Sequence, residues 1–237
     1  MGKRGGTHHI KRLAAPKALY LLNKKKYKWV VKPMAGPHNK ESSVPLGVFL
    51  RDLLNITKTM REVKKILNKS FIKVDNVIRK NEKFPVGLLD VVSLVPANKH
   101  YRILVDSKGR LKPVEINKDT NLKVAKVINK TIIKNGKMLF TLHDGKNILG
   151  DNHISIGDSL VLELPSNTKE KIKLVKHLKL EPGTRCYISK GKHAGKIVTF
   201  KELIKRASGK EEALVSDGKS DFITVSNYVV AVGDYLF

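Results

Sequence analysis

Thr59-Met60-Arg61-Glu62-Val63-Lys64-Lys65-Ile66-Leu67-Asn68-Lys69-Ser70-Phe71-Ile72-Lys73-Val74-Asp75-Asn76-Val77-Ile78-Arg79 changes period halfway along. In the first half Thr59 and Glu62 have capping-box spacing, and Met60, Val63 and Leu67 share one helical face with Ile66 at its border. At about 100° per residue, Arg61, Lys65 and Lys69 fall opposite them. From Phe71 the period drops to two, with Asp75-Asn76 placed to turn the chain back as a hairpin. Upstream, Leu46, Leu50, Leu53 and Leu54 stand at helical spacing behind Pro45, which suits a first turn. The stretch therefore predicts two short helices, a strand-turn-strand, and a further strand from the apolar run Val86–Leu94.

The cationic stripe of the second helix has little of the mixed sign that a merely solvated helix uses for intrahelical pairs. Glu62 stands alone against Arg61, Lys64, Lys65 and Lys69, with Lys58 just before the cap. Two short helices followed by strand-turn-strand resemble the small αL RNA-binding domain shared by several ribosomal and RNA-modifying proteins. The turn departs from that family's usual Val-Asn-Gly, reading Val74-Asp75-Asn76 here.

Charge supports a polyanionic partner. The 237 residues include 47 Lys and Arg against 21 Asp and Glu, a surplus of +26 that repels itself unless phosphates share the surface. Residues 1–42, 43–105, 106–178 and 179–237 carry +10, +7, +6 and +3. In the first segment aromatic and apolar residues, among them Tyr20, Tyr27 and Trp29, alternate with lysines, and Pro16, Pro33 and Pro37 interrupt any long helix. This predicts a basic arm that neutralises phosphates and lays its aromatics against bases or against its own protein. No apolar run approaches a membrane span, no hydrophobic stretch follows the first residues as in a signal peptide, and a single cysteine, Cys186, fits a reducing, intracellular compartment. His8, His9 and His38 lack the acidic or thiol partners of a metal site, so no metal and no cofactor is expected.

Beyond Tyr101 the signals are those of hairpins. Ser107-Lys108-Gly109-Arg110 separates Tyr101–Val105 from Leu111–Ile116, and Asn135-Gly136 separates Thr131–Ile133 from Met138–Leu142. Asp144-Gly145 and Gly157-Asp158 mark further strands, and 106–178 reads as a small β-domain that spaces its neighbours. Gly183–Val198 is sharper, with Gly191 and Gly195 bounding a loop that presents Lys190, Lys192 and Lys196. It fails as a nucleotide-binding P-loop: three residues separate Gly191 from Gly195-Lys196, and Ile197 stands where Ser or Thr is required. It resembles instead a KOW motif, the strand-loop-strand of a small barrel, with Asp217-Gly218 supplying a later hairpin.

The order of these parts resembles, over essentially the full length, the S4e family of small-subunit ribosomal proteins. The resemblance is carried by the Met1–Gly5 start, Thr7-His8-His9, Lys11-Arg12, Pro45–Leu53, Glu62–Ile66, Phe71–Asp75 and Gly183–Val198. The absence of a basic tail after Phe237 resembles archaeal members. What this implies is an α+β multidomain chain: a basic N-terminal arm (1–42), an αL RNA-binding domain (43–105), a central β-domain (106–178) and a C-terminal KOW, SH3-like small β-barrel (179–237). It implies a structural constituent of the 30S subunit in the cytoplasm, bound to 16S-type ribosomal RNA and neighbouring ribosomal proteins, with no catalysis, small-molecule substrate or membrane. The residues expected to meet RNA are Lys3, Arg4, Lys11 and Arg12 in the arm, Arg51, Lys58, Arg61, Lys65 and Lys73 around the αL element, and Lys190, Lys192 and Lys196 in the loop. Two other readings fit parts of the chain. One is an RNA-modifying enzyme anchored by the αL element, such as a pseudouridine synthase, although Lys112 stands where that family's Arg-Leu-Asp pattern puts its acid. The other is a KOW-containing transcription or translation factor.

Overall fold

The computed structural model describes residues 9–19, 24–25, 27–133, 136–150, 152–165, 172–205 and 211–236. These are mostly β-structure with few helices, arranged as three five-stranded antiparallel sheets and two short ladders. Among them no helix is long and apolar enough to cross a membrane.

The expected pair of helices is present, with a difference in the first. Behind Pro45, Leu46–Val48 is α-helical and Phe49–Leu53 continues as a π turn in which the Leu54 N–H donates to the Phe49 carbonyl at 3.0 Å. Leu46 through Leu50 are all buried, so the wider turn serves an element packed on more than one side. Gly47 fits tightly here: a Cβ would stand 2.6 Å from the mobile end of Met60, and 3.0 and 3.2 Å from the stiffer Cβ and carbonyl of Glu82. The second helix spans Met60–Asn68 and closes the predicted capping box: Thr59 Oγ1 accepts from the Glu62 N–H at 3.3 Å, and the Glu62 carboxylate accepts from the N–H of Thr59 and of Lys58. Val63 and Leu67 are buried, and Arg61 and Lys65 are exposed.

The first sheet runs in the order Val77–Ile78, Ile72–Val74, Val91–Leu94, Lys99–Val105, Leu111–Ile116. The Asp75-Asn76 turn has φ of 50° and 62°, the left-handed pair of a tight hairpin. The turn at 106–110 joins two strands of this same sheet, so Leu111–Ile116 completes it and does not open the next. Described residues from the first 30 positions are part of this core. Ile10–Lys11 pairs with Trp29–Val30, and Ile10, Ala18, Leu19 and Val30 are buried with the helices and the sheet.

The central sheet is Asn147–Gly150, Met138–Leu142, Leu122–Ile132, Ser159–Glu163, Lys173–Leu178, and the last is Asp221–Val225, Glu211–Ser216, Ile197–Lys205, Arg185–Ile188, Val229–Ala231. One apolar cluster takes Leu104 from the first sheet and Leu89 from the turn that leads into it, Val124 and Val161 from the central sheet, and Cys186, Val198, Phe200 and Val215 from the last. Buried cations reinforce the same junctions. Lys126 of the central sheet donates to the Ser226 and Val229 carbonyls of the last at 2.8 and 2.6 Å. Arg102 of the first sheet donates to the carbonyls of Asp119, Leu122 and Tyr235.

His143 gives the junction a pH dependence. Its Nδ1 accepts from the Lys126 N–H at 3.2 Å, so its Nε2 carries the proton and donates to the Leu88 carbonyl at 3.2 Å. A second proton has no acceptor there, and burial, assisted by the Lys123 ammonium, pushes the imidazole from 6.5 down to about 4. The unfolded chain therefore takes up this proton first. Stability is expected to hold above about pH 6.5 and to fall by at most about 3 kcal/mol between pH 6.5 and 4. Urea unfolding across that window should show a loss that His143→Gln flattens.

Candidate nucleic-acid interface

The buried charges are spoken for by the fold. Lys123 is fully buried, and its ammonium lies 2.6 Å from Asp75 and from Asp90 and 2.9 Å from Asp144. Lys146 meets Asp75 and Asp144 at 2.8 and 3.2 Å, and His38 meets Asp90 at 2.9 Å. Despite the strong desolvation, the three carboxylates hold the Lys123 ammonium charged well above its ordinary range, and the same contacts hold the Asp90 and Asp144 carboxyls far below theirs. A lysine kept charged and enclosed in this way is a joint between arm, first sheet and central sheet, not a nucleophile. Among the described residues, four cations are buried (Arg12, Arg102, Lys123, Lys126) and so are four carboxylates (Asp75, Asp90, Asp144, Asp158). They cancel, and the basic surplus stays at the surface.

Arg12 therefore corrects the sequence reading. It is 3% exposed and paired with Asp52 at 3.5 Å, so it is turned inward and offers no phosphate contact. Arg51 is brought to the same carboxylate at 2.8 Å, a contact that raises its pKa, and both guanidiniums lie 5.6 Å from the Tyr27 ring. Lys3 and Arg4 fall outside the described residues.

The other expected residues face outward to different degrees. Lys58, Arg61 and Lys65 are exposed along the helix Met60–Asn68, Lys73 is half-buried on the adjoining strand, and Lys11 is exposed. Lys64, beside them, is drawn to Glu82 at 3.4 Å, and Lys69 lies 5.8 Å from the Phe71 ring. In the loop after Arg185–Ile188, Lys190 and Lys192 are exposed, while Lys196 reaches Asp217 at 2.5 Å. Among the described residues Arg61, Lys65, Lys190 and Lys192 enter no ion pair.

The loop's glycines have distinct roles. Both have positive φ, 92° at Gly191 and 83° at Gly195. At Gly195 a Cβ would also stand 2.6 Å from the Val105 carbonyl and 3.2 Å from the Ser107 nitrogen. Tyr187 Oη both donates to the Val105 carbonyl and accepts from its N–H at 2.7 Å. The basic loop is thus seated against the root of the 106–110 turn. That turn brings residues the sequence reading passed over: Lys108, Arg110 and Lys112, with Asp106, Leu53, Leu111 and Pro113, line a cleft of about 470 Å³. The run Lys108-Gly109-Arg110-Leu111-Lys112 carried that signal, but a lysine-rich turn has no direction until its neighbours are known. A cleft lined by three cations, one carboxylate and three apolar residues has the mixed character that can hold a phosphate beside a base.

Comparison with known proteins agrees in one direction. A sequence model described as Ribosomal family S4e matches residues 97–176, and one for the RS4NT domain matches residues 4–41. The small ribosomal subunit protein eS4 of Archaeoglobus fulgidus is 45% identical over 226 residues, covering 95% of this chain and 93% of its own. That of Methanocaldococcus jannaschii is 39% identical over 247 residues, covering 99% and 97%. The crystal structure of the 30S ribosomal protein S4e from Thermoplasma acidophilum aligns with a TM-score of 0.70 at 28% identity, covering 84% of this chain and 98% of that one.

Proposed function

Because the chain belongs to the ribosomal S4e family, we propose that it is a structural constituent of the small ribosomal subunit that holds ribosomal RNA on its exposed basic faces. The observation that carries this reading is the sorting of charge: among the described residues the buried cations equal the buried carboxylates in number, whereas Arg61, Lys65, Lys190 and Lys192 are exposed and enter no ion pair there. Division into arm, αL element, central β-domain and KOW-type barrel is part of the proposal, as are neighbouring ribosomal proteins and residence in the cytoplasmic ribosome. Relatives matched along nearly the whole chain are named as ribosomal proteins, which leaves the RNA-modifying enzyme and the transient factor without support.

On this reading Arg61 and Lys65 neutralise phosphates and release counterions. Replacing both with Ala should weaken binding to small-subunit RNA about 10-fold or more and lower the slope of log affinity against log salt by about 1.4–1.8, leaving the urea midpoint unchanged. In a sucrose gradient of cell extract the wild-type chain should travel with 30S particles through a salt wash, and the variant should be released at lower salt. Recovery of the wild-type chain chiefly in the free fraction at moderate salt would overturn the proposal.

A further inference from the structure

We infer that Trp29 is a stacking platform for an unpaired RNA base, a reading that rests on the RNA-binding role proposed above. Trp29 is the sole tryptophan of the chain and is 50% exposed. Its position is fixed by the ladder in which Ile10 faces Val30 and Lys11 faces Trp29. Ile10 and Val30 point into the first core at 6% and 7% exposure, so strand alternation turns Lys11 and Trp29 outward. The Arg12 N–H donates to the Lys28 carbonyl at 2.9 Å, holding the approach to the indole as well as its root.

The surroundings are those of a nucleotide site. The Lys28 ammonium lies 5.5 Å from the indole centroid, the His9 ring is 5.6 Å away at 52°, and Lys11 is exposed across the ladder. A base laid on the indole would bring its flanking phosphates among these cations, the combination of aromatic face and basic rim by which single strands are held. Tyr27, two residues earlier, is already engaged with the Arg12 and Arg51 guanidiniums. Among the described residues the indole stays half-exposed and forgoes burial that a tryptophan otherwise gains.

The test uses the full chain and its own tryptophan emission. Titration with a labelled 12-nucleotide single-stranded adenine RNA, followed by anisotropy, should quench Trp29 emission in step with binding. Inorganic polyphosphate, which offers charge without bases, should compete for the protein without quenching. Trp29→Ala should weaken RNA binding about 10-fold with an unchanged salt slope, and Trp29→Phe should retain most of the affinity. Saturable RNA binding with unaltered emission would overturn the platform while leaving the RNA-binding role standing, and would direct attention to a protein neighbour for this face. Absence of RNA binding by anisotropy would overturn both.

Discussion

Lys123→Met is expected to lower the unfolding free energy by about 3–5 kcal/mol. The side chains are of similar length, so packing changes little; what is lost is a fully buried ammonium among Asp75, Asp90 and Asp144. Lys146 and His38 remain, but each reaches only part of the cluster, and a carboxylate stripped of its cation in a low-dielectric interior is costly. The loss should appear as a lower urea midpoint of the full chain. Adding Asp144→Asn to Lys123→Met should restore roughly 1–2 kcal/mol by removing one uncompensated charge. A single variant less than about 1 kcal/mol below wild type, or a double variant worse than the single, would show that the lysine does not hold these carboxylates.

The second large effect is expected at Arg102, which is 1% exposed and whose guanidinium donates to three backbone carbonyls, those of Asp119 and Leu122 in one turn and that of Tyr235 more than 100 residues on. Burial lowers its pKa, with Asp119 opposing that shift from a distance. Arg102→Met leaves these part-buried carbonyls without their donor, a loss of about 1–3 kcal/mol. Tyr235 lies at the C-terminal end, so the release should be local before it is global. Amide exchange should accelerate across 229–236 in the variant while strands such as Val91–Leu94 keep their protection. Unchanged exchange at 229–236 would mean that the apolar contacts of Val232 and Leu236 alone retain the tail.

Much of the local structure was legible because it is written in short-range chemistry. Thr59 and Glu62 announce a cap, Asp75-Asn76 and Ser107–Arg110 announce turns, and the face bearing Val63 and Leu67 is set by helical spacing. What the sequence left unplaced shares a cause. Nothing in Leu122-Lys123-Val124-Ala125-Lys126-Val127 marks either lysine as buried, and Arg12 reads as one more cation of the basic arm. All three are buried, because the partners that make burial tolerable lie well outside their own strand or turn: Asp52 for Arg12, Asp75, Asp90 and Asp144 for Lys123, and the Ser226 and Val229 carbonyls for Lys126. Asp75 shows the same limit from the other side. The departure from Asn-Gly looked like a matter of turn geometry, yet its carboxylate also accepts from the Val91 N–H and receives Lys123 and Lys146. Gly195 is likewise marked by sequence as a loop glycine, but its contact with Val105 depends on how two sheets meet.

The cluster around Lys123 also has a direction in time. A ribosome delivers the chain from the N-terminus, so His38, Asp75 and Asp90 emerge before Lys123, Asp144 and Lys146 exist to meet them. Until then two acids destined for the interior have no ammonium, and water is their better solvent. The first sheet thus waits, half-finished, for the central one, and Arg102 waits longer still for the Tyr235 carbonyl, 133 residues on. A product cut short before Lys123 would keep its acids hydrated and its core loose, open to proteolysis.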